Sequence, residues 1–194
     1  MGNSINCYAK MNNMKEINLH LGCGGDNIKG WINIDNYDCT SADSSRSGAN
    51  YDMKMDIRTL DAAPGSVDRI LLVHVLEHFV RWEAVALLAQ FYRLLKPGGL
   101  LIMEHPDLDG CIKMYLEGKV TIDTPLGKLN KGFTQFYGNQ WDELEYETHR
   151  YVWTKIEMRQ ELVKVGFTIL TLDNQAHFHV PERDMRVIAQ KPLN

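Results

Sequence analysis

The chain has 194 residues, of which 44% are apolar and 24% charged, and a net charge of −4. This is the composition of one globular domain long enough to bury a core, and it shows no electropositive footprint for nucleic acid or an anionic membrane surface. No run approaches the roughly 18 apolar residues of a membrane span, and Cys7, Cys23, Cys39 and Cys111 form no C-x-x-C pair, so reduced thiols in a cytoplasmic protein are expected.

In chain order, residues 1–15 read as a polar tail without an apolar signal core, and the domain runs over 16–194. "EINLHLGCGG" (16–25) is a β-rich run ending in glycines, and "WINID" (31–35) is a second strand. "YDCTSADSSRSGAN" (37–50) has loop composition, and "YDMKMDI" (51–57) contains a short strand. "SVDRILLVHV" (66–75) is continuously apolar, as in a strand buried on both faces. Ala84, Leu87, Leu88, Phe91, Leu94 and Leu95 then recur at helical spacing, and "PGG" (97–99) stops that helix before the strand "LLIMEH" (100–105).

Residues 106–153 are irregular, aromatic and mixed in charge, which fits an insertion after the fifth strand. Thr154 and Glu157 form a capping box for a helix carrying Ile156, Leu162 and Val163 and ending at Gly166. "FTILTL" (167–172) and "MRVIAQ" (185–190) are the last strands. The alternation predicts a single α/β domain, with a mostly parallel sheet covered by helices and an antiparallel strand at the end.

A strand running into "LGCGG" suits a ligand that must approach the backbone, because Gly22 and Gly24 turn tightly and present N–H groups. Asp35, ending the next strand, can accept hydrogen bonds from both ribose hydroxyls of a nucleoside. Asp56 with Ile57 can hold an adenine amino group and cover the ring. The alternatives are a turn cap for Asp35 and a helix cap for Asp56. Dinucleotide binding wants a third glycine where this chain has Asn27, and a ribose acid about 20 residues on. Asp35 follows too soon to leave room for a full crossover helix, so a nucleoside ligand without phosphates is favoured.

"INLHLGCGG", "GWINID", "MDI", "SVDRILLVHVLEHF" and "LLKPGGLLIMEHPDL" stand in the order of the class I S-adenosylmethionine (SAM)-dependent methyltransferases, and the chain resembles the short bacterial-type members. The resemblance implies a Rossmann-like seven-stranded sheet with its last strand antiparallel, and SAM as cofactor with S-adenosylhomocysteine as product. It also implies that Gly22, Cys23 and Gly24 line the methionine part of SAM, Asp35 the ribose, and Asp56 with Ile57 the adenine, with His74 beside the cofactor. His20 departs from the Asn, Asp or Glu of many relatives.

"HVLEH" (74–78) also spells the H-x-x-E-H of inverted zinc proteases. His74 follows a strand, so His74 and His78 do not share a helix face, and no downstream helix offers a third ligand. Some methyltransferases that resemble this chain carry E-x-x-E-H here and bind a divalent metal next to the acceptor; this chain has His74 in place of the first Glu and keeps Glu77 and His78, which His105 could join from the next strand end. Polar groups that open the helix are the preferred reading of Glu77 and His78, and no bound metal is expected.

Methyl transfer to a hydroxyl gains from a base within reach. His149 is the first candidate for that base, then His105, with Asp107 beside it; packing for His149 and a helix cap for Asp107 are the alternatives. The insertion's aromatic residues fit either an acceptor pocket or a local core. A small molecule, sugar or glycan is the expected acceptor, methylated at oxygen or nitrogen, and nothing in the sequence bears on oligomeric state. The other classes are a SAM-binding protein without turnover and, remotely, a metal hydrolase.

Overall fold

The computed structural model describes residues 4–36, 51–138, 140 and 145–193. Seven strands form one sheet: β1 (Asn18–Leu21), β2 (Ile32–Asp35), β3 (Met53–Lys54), β4 (Val67–Val73), β5 (Leu95–Pro106), β8 (Thr168–Asp173) and β9 (Asp184–Gln190). Their order is β3-β2-β1-β4-β5-β9-β8. Pairing is parallel from β3 through β5, and β9 runs antiparallel to both β5 and β8. The expected sheet is therefore present. Strand order reverses between β1 and β4, and in open α/β sheets ligands bind outside the carboxyl ends at such a point.

The central strands are apolar on both faces because helices cover them. Leu19, Leu21, Ile32, Ile34, Ile70 and Leu72 are all buried. Helix α2 (Arg81–Leu94) turns Ala84, Leu87, Leu88, Phe91 and Leu94 onto the sheet, as its periodicity predicts. Helix α5 (Lys155–Val165) has the expected Thr154–Glu157 capping box and ends on left-handed Gly166. Its buried face differs from expectation. Met158, Glu161 and Leu162 point inward, whereas Ile156 and Val163 are exposed. Glu161, on the inward face, pairs with Arg81, whose Nη2 lies 2.8 Å from Glu161 Oε1.

The expected polar tail is corrected. Ile5–Met11 form helix α1, capped by Ser4, with Ile5 and Ala9 buried in the main core. The insertion is also more regular than its composition suggests. It contains α3 (Leu108–Leu116), a hairpin of β6 (Thr121–Thr124) and β7 (Gly127–Asn130), and the short helix α4 (Thr134–Tyr137). The 37–50 segment with Cys39, and Trp141, Asp142 and Glu143, lie outside the described residues.

Candidate functional site

At the carboxyl end of β1, Gly22 and Gly24 take left-handed φ angles of 64° and 55°. A Cβ on Gly22 would sit 2.5 Å from Val75 Cγ2, so the position has neither the conformation nor the room for a side chain. Gly22 and Cys23 donate backbone N–H bonds to Ile34 O, and Gly24 N donates to Asp35 Oδ2 at 2.8 Å. The loop is thus fastened to β2 and its end acid. Burial, assisted by Asp35, pushes the Cys23 thiol up to about 12, so it stays protonated.

No helix joins β1 to β2. Asn33 fastens the connection instead: its Oδ1 accepts from Ile28 N at 2.9 Å, and its Nδ2 donates to Ile28 O and Asp52. His20 belongs to this anchor, with Nδ1 3.2 Å from Asn33 Oδ1, and burial lowers its pKa. After β3, Asp56 caps a helical turn by accepting from Arg58 N and pairs with the Arg58 guanidinium at 2.6 Å. Those Arg58 contacts hold its carboxyl below the usual range. Ile57 is buried in the core cluster.

His74 follows β4 with a positive φ of 52°. Its Nε2 lies 3.0 Å from Asp184 Oδ2 and its Nδ1 2.9 Å from Glu77 Oε1. Burial works against a charged ring here, but Asp184 and Glu77 outweigh it and raise His74 to about 9. Arg183 completes the group, with Nη2 2.5 Å from Asp184 Oδ2 and 2.7 Å from His179 Nδ1. His179 stacks on His74 with ring centroids 4.0 Å apart. Below it, Glu104 accepts from the backbone N–H of His177 and Phe178 and pairs with Arg186.

The turn after His74 meets the end of the insertion. Glu77 O accepts from Arg150 N at 2.7 Å and Tyr151 N at 3.2 Å. Close by, Gly138 lies against Glu147, where a Cβ would fall 1.9 Å from the carbonyl oxygen. This packing brings His149 beside His78 and Glu77, so that each of the three has a ligand-type atom within 4.8 Å of the others. His78 Nδ1 is 3.1 Å from Thr148 O, and His149 Nδ1 is 3.0 Å from Gln135 O. A carbonyl only accepts, so both Nδ1 atoms carry the proton and both Nε2 atoms keep a lone pair in the neutral ring. Burial lowers the pKa of His149. Burial opposes ionisation of Glu77, yet His74, His78 and His149 together hold it at about 2.

The other two acceptor-side candidates are placed differently from expectation. His105 is fully enclosed, its Nδ1 3.2 Å from Pro106 O, and burial lowers its pKa. Asp107 caps α3 and is sealed beneath Lys155 and Asn174. Both side chains are buried, His105 within strand β5 and Asp107 at the start of α3. Trp153 is core as well, fully buried with Tyr151 edge-on at 4.9 Å, while Tyr115, Tyr137 and Tyr146 remain exposed. Glu104, Arg183 and Asp184 were missed by sequence reasoning. The available signals were an acid inside an apolar strand and the adjacent opposite charges of "RD" before β9.

A methyltransferase-domain family model matches residues 8–172. The chain belongs to that family. No curated protein sequence matches it. Among solved structures, a SAM-dependent methyltransferase of Methanosarcina mazei is 20% identical with a TM-score of 0.58, over 95% of this chain and 98% of that one. One from Mesorhizobium loti is 14% identical with a TM-score of 0.56, over 95% and 96%. The 1,6-didemethyltoxoflavin-N1-methyltransferase of Burkholderia thailandensis, solved with 1,6-didemethyltoxoflavin and S-adenosylhomocysteine, is 13% identical with a TM-score of 0.57, over 97% and 76%. The methyltransferase therefore has the class I fold, which the sheet order shows independently. Among the described residues no helix is long and apolar enough to cross a membrane.

Proposed function

We propose that this methyltransferase binds SAM across the carboxyl ends of β1, β2 and β4 and passes its methyl group to oxygen or nitrogen of a small-molecule, sugar or glycan-type acceptor. The observation that carries the reading is the glycine loop. Gly22 and Gly24 hold left-handed turns, Gly22 rests on Val75, and Gly24 N–H is bonded to Asp35. A loop without side chains lets a ligand touch backbone, and an acid at its edge suits a ribose diol. The lack of a crossover helix leaves no dipole for a pyrophosphate, which favours a nucleoside without phosphates.

In this reading Gly22, Cys23 and Gly24 line the amino-acid arm, Asp35 takes the ribose and His74 flanks the sulfonium. Asp56 and Ile57 border the adenine, and Asp56 must exchange part of its Arg58 contact to bind it. The acceptor enters over the insertion, where His149 offers a ring nitrogen. The acceptor's lone pair forms the new bond to the methyl carbon, the methyl–sulfur bond breaks with its electron pair going to sulfur, and the acceptor proton leaves to a base or solvent. Alignment in a water-poor site supplies most of the rate. The Burkholderia neighbour, solved with 1,6-didemethyltoxoflavin, has the same fold, and a small-molecule acceptor accords with it.

The test is calorimetric titration of the full chain with SAM and S-adenosylhomocysteine. Micromolar binding that weakens at least about tenfold in Asp35→Ala is expected, the loss of a charged hydrogen-bond partner being worth about 1.5–3 kcal/mol. No binding of either ligand to folded protein overturns the reading.

A further inference from the structure

We propose that Asn33 is the positioning residue of the cofactor loop: its side-chain amide, hung from Asp52 and Tyr8, holds the β1–β2 connection in its binding shape. The inference rests on the cofactor reading given above. Its first support is the way the amide is used. Asn33 is 3% exposed, and its side chain meets both backbone groups of Ile28, accepting from N at 2.9 Å and donating to O at 3.2 Å. A peptide group of a neighbouring strand would pair in the same way. The amide nitrogen also lies 3.3 Å from Trp31 O, so both ends of the 28–31 turn are tied to one side chain. Trp31 N donates to Ile28 O at 3.2 Å and closes that turn.

The second support is what holds Asn33. Asp52 Oδ2 accepts from its backbone N and from its Nδ2, both at 2.8 Å, and Asp52 N donates to Asn33 O at 2.8 Å. Asp52 Oδ1 accepts from the Tyr8 hydroxyl of α1 at 3.0 Å. On the other side His20 Nδ1 lies 3.2 Å from Asn33 Oδ1; an amide oxygen only accepts, so this nitrogen carries the proton. One side chain thus links α1, β1, the segment before β3 and the connection. A helix after β1 would fix the loop through its own backbone ladder, and here no helix joins β1 to β2. A slack loop that must be ordered as the ligand binds weakens affinity, whereas a loop ordered beforehand does not. Gly22 and Gly24 are fastened to Ile34 and Asp35, and the Asn33 clasp extends that order to Trp31. The clasped turn continues the loop assigned to the amino-acid arm, so that arm should feel its loss more than the nucleoside does.

The experiment uses the full chain. SAM, S-adenosylhomocysteine and methylthioadenosine, which keeps the nucleoside but lacks the amino-acid arm, are titrated calorimetrically into wild type and variants. Asn33→Ala and Asp52→Ala should weaken SAM and S-adenosylhomocysteine by at least about tenfold, and methylthioadenosine by less than about threefold. Asp52→Asn retains an acceptor oxygen and should recover most of the lost affinity. Tyr8→Phe removes one exposed hydrogen bond and should weaken SAM about two- to threefold. Hydrogen exchange of the 26–31 amides, followed by mass spectrometry, should speed up in both alanine variants. A merely structural role would lower the melting temperature and leave the affinities of folded protein alone. Far-UV circular dichroism identifies a variant that fails to fold; Asp52→Ala, at an exposed position, then decides. The proposal is overturned if folded Asp52→Ala binds SAM as wild type does, or if methylthioadenosine loses as much affinity as SAM. It is overturned equally if exchange over 26–31 is unchanged. Wild type that binds none of the ligands refutes the cofactor reading, while the exchange comparison still decides whether Asn33 orders the connection.

Discussion

Two histidine–carboxylate groups sit side by side at the carboxyl edge of the sheet, and they solve the same electrostatic problem differently. Around Asp184 the chain supplies its own cations, Arg183 and His74, at 2.5 Å and 3.0 Å. Around Glu77 it supplies the second nitrogen of the same His74, 2.9 Å from Oε1, beside two histidines whose donor protons are turned away to Thr148 and Gln135. Asp184 is thus paired with two cations and Glu77 with one. The difference arises from the elements involved: Arg183 and Asp184 are neighbours entering β9, whereas Glu77 and His149 are joined only by the docking of the insertion.

The largest expected effect breaks the Asp184 group. Arg183→Met should destabilise the fold by about 3–5 kcal/mol in denaturant titration, because it leaves the fully buried Asp184 short of its strongest partner. Acid should reveal the same pairing. Burial alone would raise the Asp184 pKa, but His74 and Arg183 outweigh it and hold it well below its ordinary value. A depressed carboxylate stabilises the fold above its unfolded pKa of about 3.9, and that stability is lost as pH falls through the lower folded value. Wild type should therefore keep this contribution down to about pH 4 and lose it below, while in Arg183→Met the contribution is smaller and its loss is complete at a higher pH. Thermal melts of the two proteins across pH 3–7 would show the offset, and coincident profiles would refute the pairing.

The Glu77 group should respond more weakly. Glu77→Gln keeps the shape of the side chain and leaves His74 its Asp184 partner, so its cost in denaturant titration should be about 1–3 kcal/mol, less than that of Arg183→Met. Equal costs in the two variants would erase the distinction between the groups.

Much of the fold was readable because it rests on local patterns. The apolar stripe of α2, the Thr154–Glu157 box and the apolar runs of β4 and β5 each specify their own element. The cofactor edge was readable for a related reason: Gly22, Gly24 and Asp35 lie within 14 residues of each other in sequence and act through backbone turns. The acceptor edge was not. Its partners are backbone carbonyls such as Thr148 O and Gln135 O, which carry no residue signature. His105 and Asp107 looked catalytic by type, but the continuation of β5 and the Lys155 ammonium enclosed them. Helix α1 was missed because only Ile5 and Ala9 mark its buried face, too few for a period to stand out.

The smallest effect tests whether Arg183 alone is sufficient for the Asp184 group. His179 contributes one ring nitrogen 2.7 Å from Arg183 Nη2 and a stacked face on His74, with its side chain 47% exposed. Asp184 keeps both Arg183 and His74 when that ring is removed. His179→Ala should therefore cost less than about 1 kcal/mol, as expected for a half-exposed side chain that leaves no buried charge unpaired. It should also leave the acid limb of the stability profile where wild type has it. A cost comparable to that of Arg183→Met would mean that the guanidinium is held in place by His179 rather than by Asp184, and the neutralising unit would then span both histidines.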